Sequence, residues 1–252
     1  MILKARVNGG PPLRLLVDSG SEYVVLTRSA ATRSGCVRGA GIDLIGAGAT
    51  SAAAAAQSKA GTFETGDLTL HDIPLVVTDR GLGEGLHGVV PLSIFANFSI
   101  RVDFRSRELT LSPLPNAAVA ASPALRAVVR DQLLFLPGIV NERQKGLFLL
   151  DTGSAYSALA APLAHQLQVS ELMSAHLPLQ GGTADVDGAV INGAVNLRLG
   201  AHQVSGRMVA VDLSLASRYH RMEIAGLVGY QALCDSILTV NYRDHLIRID
   251  SK

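Results

Sequence analysis

Apolar and polar positions alternate through Ile2–Val7, the run Asn8-Gly9-Gly10-Pro11-Pro12 breaks the chain, and a second apolar run follows at Leu13–Val17. Alternation with a period of two on either side of a Gly/Pro/Asn break predicts a β-hairpin. The same pattern returns as Leu133–Val140, a turn over Asn141–Lys145, and Leu147–Leu150. Further strand pairs, hinged at charged turns, are predicted at Ile100–Phe104 with Leu109–Leu111 and at Leu238–Tyr242 with Leu246–Ile249. Two more hairpins are expected: Asp67–Leu70 with Ile73–Val77, and Val195–Leu199 with Met208–Val211. Short helices fit at about Ser29–Ser34, Pro162–Gln168, Leu92–Asn97 and Gln231–Asp235. The fold class is therefore mostly β with a few short helices. One stretch conflicts with it: Ala52–Ala56 has the highest helix propensity, yet lies where the pattern needs extended chain.

The pattern repeats in register. Shifted by 133 positions, Arg6-Val7-Asn8 falls on Ile139-Val140-Asn141, and Leu15-Leu16-Val17-Asp18-Ser19-Gly20-Ser21 on Phe148-Leu149-Leu150-Asp151-Thr152-Gly153-Ser154. Shifted by 138, Gly88-Val89-Val90 falls on Gly226-Leu227-Val228, and Ile100–Arg105 on Leu238–Arg243. A fixed order at a nearly fixed offset is the mark of an internally repeated architecture. The stretch between the copies is rich in proline and small residues, as linkers are. The expected organisation is an N-terminal lobe over residues 1–112, a linker over 113–124 and a C-terminal lobe over 125–252.

Composition narrows the function classes. Against 22 Lys+Arg stand 21 Asp+Glu, a net charge of +1, so no basic field for nucleic acid or an anionic membrane is present. Aromatic residues are 4% with no Trp, which disfavours a stacking platform for bases. Cys36 and Cys234 are too far apart in sequence for a disulfide framework or a paired-cysteine metal site, and are read as buried or half-buried thiols. His71, His87, His165, His176, His202, His220 and His245 form no ligand spacing and are expected in loops or at the surface. No metal and no cofactor are expected. No apolar stretch is long enough for a membrane span, and no leader is visible at Met1–Lys4. The chain is expected to be a monomer, cytoplasmic if complete and extracytoplasmic if a leader preceded residue 1.

The chemistry lies in Asp-Ser/Thr-Gly-Ser at the end of an apolar strand, once per repeat. The strand delivers the carboxylate to its tip, glycine permits a sharp turn, and the hydroxyl between them can bond backbone and lock it. One such tripeptide is an ordinary turn; two, in register with a second repeated motif, are not. Packing about a pseudo-twofold axis would bring Asp18 and Asp151 face to face. Two carboxylates sharing a site cannot both ionise cheaply, so the pair retains one proton and titrates as a unit. Its ionised member can then act as base on a water while the protonated one polarises a carbonyl.

On these residues the chain resembles the aspartic proteases, and specifically the retropepsin-like branch in a single-chain, two-lobed bacterial form. The resemblance covers nearly the whole chain. It implies two β-barrel lobes about a pseudo-twofold axis, with Asp18 and Asp151 as catalytic residues on a peptide or protein substrate. It further implies that Ser19 and Thr152 tie the catalytic loops together, and that Ser21 and Ser154 bond the outer carboxylate oxygens, with Gly20 and Gly153 completing the loops. The apolar-apolar-Gly element that threads under each loop reads Gly226-Leu227-Val228-Gly229 in the second repeat. In the first it reads Gly88-Val89-Val90-Pro91, with proline in place of the second glycine. Flap tips over the cleft would be Gly46, Ala47 and Gly48 in lobe one and Gly181 and Gly182 in lobe two. No tyrosine lies near Gly46 or Gly181, which fits the retropepsin-like branch better than the pepsin flap.

Other classes fit less well. An actin- or sugar-kinase-like ATPase also duplicates a strand-end Asp-x-Gly, but this chain lacks room for its long helices. A serine hydrolase would need Gly-x-Ser-x-Gly, which does not occur. A catalytically silent relative that binds an extended peptide as an added strand remains the nearest alternative. The expectation is an aspartic endopeptidase.

Overall fold

A computed structural model describes residues 1–114, 124–167, 172–180, 185–191, 195–206 and 208–251. It is built almost wholly of strands. The first half forms β1 (Ile2–Val7), β2 (Leu13–Val17), β3 (Val24–Thr27), β4 (Gly41–Leu44), β5 (Ala53–Thr65), β6 (Leu68–Thr78) and β7 (Gly88–Val90), with helix α1 (Arg28–Arg33) between β3 and β4. These make one seven-stranded sheet in the order β1-β2-β7-β3-β6-β5-β4, and an additional β1–β5 pairing curls it into a barrel. Closure of this kind leaves few free edges. Leu13, Leu15, Leu26, Phe63, Val77 and Val90 fill the interior, all fully buried.

After a 3-10 turn at Leu92–Phe95 come β8 (Phe98–Asp103) and β9 (Glu108–Pro113). The second half runs β10 (Leu125–Arg126), β11 (Val128–Arg130), β12 (Leu133–Val140), β13 (Gln144–Leu150), β14 (Ala158–Ala160), β15 (Leu172–Gln180), β16 (Asp185–Ile191), β17 (Val195–Leu199), β18 (His202–Gly206), β19 (Val209–Val211) and β20 (Gly226–Val228). It closes with β21 (Ser236–Asn241) and β22 (Leu246–Ser251). Its helices are α2 (Ala161–Gln166), α3 (Ser214–His220) and α4 (Tyr230–Leu233). Strands β11–β20 form the second large sheet, in which β13, β20 and β14 stand side by side as β2, β7 and β3 do in the first. A third sheet, β10-β22-β21-β8-β9, joins the two halves through the β8–β21 pairing.

Local chemistry explains the common plan. Asn8 and Asn141 both adopt positive φ, which asparagine tolerates, and turn the chain out of the first strand. The Asn8 side-chain carbonyl accepts from Gly61 and Thr62 N–H, and that of Asn141 from Asn196 N–H. Each asparagine thereby pins its hairpin to a neighbouring strand, β5 in the first half and β17 in the second.

Two expected hairpins are corrected. Asp67–Leu70 and Ile73–Val77 are not a strand pair but fall along one strand, β6, whose antiparallel partner is β5. The turn lies instead at Gly66, where φ is +54°; His71-Asp72, which looks like a turn in sequence, is an irregularity within the strand, with Asp72 at φ +57°. Likewise Val195–Leu199 pairs with His202–Gly206 about Gly200, and Val209–Val211 runs parallel to β14. Helix α3 was not anticipated, although Asp212 accepts from Ser214 N–H at its start. The alanine run is strand: Gly41–Leu44 pairs with Ala53–Ala56, and this cross-strand partner overrides helix propensity. Among the described residues, no helix is long and apolar enough to cross a membrane. Cys36 and Cys234 are half-buried free thiols.

Candidate active site

The threading strands create the site. Strand β7 runs parallel to β2, with Leu15 opposite Gly88 and Val17 opposite Val90, and antiparallel to β3 on its other side. In the second half β20 runs parallel to β13 and antiparallel to β14 in the same manner. A chain wedged so closely between two others needs glycine: a Cβ on Gly88 would lie 2.2 Å from Val25 O, and one on Gly226 2.2 Å from Ala158 O. Past the end of each wedge the next strand delivers its aspartate. Asp18 N–H donates to Val90 O and Asp151 N–H to Val228 O, both at 3.0 Å.

The two aspartate loops meet and interlock. Ser19 N–H donates to Thr152 Oγ1 at 3.0 Å, and Thr152 N–H to Ser19 Oγ at 3.1 Å. Each hydroxyl then donates across the interface, Ser19 to Leu150 O at 2.7 Å and Thr152 to Val17 O at 3.1 Å. Both side chains are buried, and every polar atom in this exchange is satisfied.

The glycines seat the carboxylates. A Cβ on Gly153 would lie 2.3 Å from Asp18 Cγ, and one on Gly20 would lie 2.6 Å from Asp151 Cγ. Each carboxylate therefore occupies the space left by the glycine of the opposite loop. Gly20 N–H donates to Asp18 Oδ1 at 2.8 Å; Gly153 and Ser154 N–H donate to Asp151 Oδ1 at 3.1 and 2.9 Å. Burial raises the pKa of both carboxyls, offset at Asp18 by the Gly20 and Gly153 amides and by its bond to Asp151. Asp151 is pushed well above the usual carboxylate range, by burial first and by the charge of Asp18 second. The pair can hold one proton and one charge.

The hydroxyls of Ser21 and Ser154 do not bond the outer carboxylate oxygens. They donate to Tyr23 O and Tyr156 O, both at 2.9 Å, and so brace the loop as it leaves the site. Ser154 reaches its aspartate through backbone N–H instead.

Asp18 and Asp151 line a cleft of about 490 Å³. Its roof includes the β4–β5 hairpin of the first half: Ile45, Gly46 and Ala47 line the cavity, and Ala49 N–H closes the turn on Gly46 O. Gly48, at φ +78°, packs on Val186 of β16, where a Cβ would fall 2.6 Å from Val186 Cγ1. Gly181 and Gly182 lie outside the described residues.

Sequence reasoning missed one corner of the cleft. His220 is not a loop or surface residue but is buried, 4% exposed, at the end of α3, and lines the cavity with Glu22, Tyr23 and Tyr219. Glu22, Asp131 and His220 bring potential ligand atoms within 4.8 Å of one another. The only sequence signal there is Glu22, an acidic residue just past the first Asp motif where the second repeat has Ala155.

The paired strand-end aspartates, seated on opposite glycines, lie between two β-barrel halves in a fold of the acid-protease class. Residues 3–90 match the family described as aspartyl protease. Over 100% of this chain and 94% of the other, the fold is similar to that of an aspartic proteinase from Irpex lacteus, with a TM-score of 0.62 and 10% sequence identity. No curated protein sequence matches. The family match is confined to residues 3–90, and over the whole chain the likeness is one of fold.

Proposed function

We propose that the protein is an aspartic endopeptidase in which Asp18 and Asp151 activate one water. The observation that carries this reading is the reciprocal seating of each carboxylate on the opposite loop's glycine, since it serves no packing purpose that two apolar side chains would not serve better. Burying two adjacent carboxyls costs stability, and a shared proton is what makes them useful.

In the resting pair Asp151 holds the proton and Asp18 the charge. Asp18 takes a proton from the water as its oxygen attacks the peptide carbonyl carbon, while Asp151 donates its proton to the carbonyl oxygen. The product is a neutral gem-diol. Its collapse breaks the C–N bond, with one proton passing to the leaving amine and one hydroxyl proton returning to the pair. The substrate lies extended, bound as an added strand beneath the β4–β5 hairpin, whose small side chains and backbone amides allow close approach.

The test is cleavage of a mixed peptide library by the wild type, Asp18→Asn and Asp151→Asn from acid to neutral pH. Each substitution is expected to lower the rate by about 10²–10⁴-fold, the usual contribution of a positioned acid or base. Cleavage at the wild-type rate by either variant would overturn the dyad. Peptide binding without cleavage by the wild type would favour a silent binding module.

A further inference from the structure

The far corner of the cleft is charged in a way the proposed hydrolysis does not use. Glu22 lies on the loop that follows Asp18, its side chain 16% exposed and facing the cavity. Across the cleft, α3 of the second half brings Tyr219, whose hydroxyl bonds the Glu22 carboxylate. His220 follows, with Nε2 3.9 Å from Glu22 Oε1, too far for a hydrogen bond. Its Nδ1 is 3.0 Å from Asp131 Oδ2. Asp131 has a cation of its own, Arg130, at 3.6 Å. Among the described residues, His220 is the sole basic group within ion-pair distance of Glu22.

The rest of the cleft has the same sign. Its lining carries Asp18, Glu22, Asp43 and Asp151 and, among the described residues, no lysine or arginine. A chain with almost equal numbers of acids and bases has kept its permanent cations out of this one surface. Burial and the neighbouring Asp131 push Glu22 up to about 7, so the empty corner holds its charge at a cost. A cation brought in by a ligand would relieve that cost. Tyr23, Tyr156 and Tyr219 supply aromatic faces for an alkyl stem or a planar guanidinium.

We infer that this corner, formed by Glu22, Tyr219 and His220, is a subsite for a basic side chain, so that the cleft selects peptides carrying arginine or lysine near the scissile bond. The inference rests on the peptide-cleft reading above. Glu22 is four residues from Asp18 in sequence, and four residues of chain span at most about 14 Å. The basic residue therefore falls within about four positions of the bond cut, at 3.3 Å per residue of extended substrate. The first half supplies the anion, while the matching position of the second half is Ala155. The selectivity is therefore one-sided and fixes the direction in which a substrate lies.

Paired peptides with arginine or its neutral isostere citrulline at each position provide the test, by cleavage and by equilibrium binding of reduced-amide analogues that cannot be cut. At pH 8 the wild type is expected to prefer arginine at one position by about tenfold in kcat/KM or Kd, the scale of one charge-assisted hydrogen bond. Glu22→Gln should bring that ratio close to one. In the wild type the ratio should shrink toward pH 5, as Glu22 takes up a proton. A wild type that cuts but shows no arginine preference at pH 8, or a Glu22→Gln variant that keeps it, overturns the subsite and leaves the protease reading intact. Glu22-dependent preference in binding without any cleavage supports the subsite and removes the protease reading. Zinc or calcium alone, titrated by calorimetry, is the remaining arm: tight binding that Glu22→Gln abolishes and arginine peptide does not displace would assign the corner to a metal and overturn the inference.

Discussion

The two halves solve one problem differently where the threading strand leaves the site. In the second half Gly229 N–H donates to Ser157 Oγ at 3.0 Å, and Tyr230 N–H to Ser154 O at 2.7 Å. The backbone there runs so close to the loop that a Cβ on Gly229 would lie 2.2 Å from Tyr156 O. In the first half the matching position is Pro91, at φ −71°, and the position matching Ser157 is Val24, fully enclosed. Proline has no N–H to satisfy and valine no oxygen to offer. Donor and acceptor are thus absent together, and at this position neither half leaves a buried N–H or hydroxyl orphaned. Proline in place of the second glycine is a consistent alternative rather than a defect, because its partner differs as well.

Where the halves meet, by contrast, each seats the other's carboxylate on a glycine, and the largest expected effect lies there. Gly153→Ala drives a methyl into Asp18, and Gly20→Ala drives one into Asp151, at 2.3 and 2.6 Å from the carboxylate carbon. A displacement on the order of 1 Å in a reacting group costs roughly 10²-fold in rate, so both variants should lose at least that in kcat, measured on any cleaved peptide. If one of them loses nothing, the two seats are not equivalent and the reciprocal seating does not hold the reacting geometry.

A smaller effect separates stability from activity. Asp151 binds its proton more tightly in the folded chain than in the unfolded one. The native state therefore holds the extra proton between the ordinary carboxylate range and the raised value, and stability falls as pH rises through that interval. Below the ordinary value both states are protonated and no penalty exists. Asp151→Asn cannot ionise, so it should raise Tm by a few degrees at pH 7 while leaving it unchanged near pH 3, followed by calorimetry. An unchanged difference between the two pH values would mean that the pair carries no charge penalty.

The aspartate loops and threading strands were legible because each occurs twice at a fixed offset, and chance does not reproduce both spacing and order. The β4–β5 hairpin was legible only in outline. Ala53–Ala56 reads as helix by propensity and becomes strand through β4, a partner with no distinctive residues of its own. The β5–β6 turn was misplaced because His71-Asp72 is polar enough to mimic one, while the left-handed conformation that makes the turn belongs to Gly66. The Glu22 corner could not be read at all. Its members come from a loop of the first half, the β11–β12 turn and the end of α3, and only packing between the halves brings Glu22, Asp131, Tyr219 and His220 together. Nor does sequence reveal that the Ser21 and Ser154 hydroxyls point along their own loops, since rotamer choice there is set by the nearby Tyr23 and Tyr156 carbonyls.

The smallest expected effect tests the comparison of Pro91 with Gly229. Ser157→Ala removes the acceptor of Gly229 N–H in a buried setting, and leaving such a donor unpaired costs about 1–2 kcal/mol. At the other end, Val24→Ser alone buries a hydroxyl opposite a proline that cannot donate to it, and Pro91→Gly alone exposes an N–H to a valine that cannot accept. Each single change should destabilise by about 1 kcal/mol, the second in part because glycine loosens the unfolded chain. Together they recreate the pairing of the second half, so the double variant should be less destabilised than the sum of the two by at least about 0.5 kcal/mol. Denaturant midpoints of the four proteins give that coupling directly. A sum that is simply additive would mean that the N–H of a glycine at position 91 finds another acceptor, and that the matched absence of donor and acceptor in the first half is coincidence.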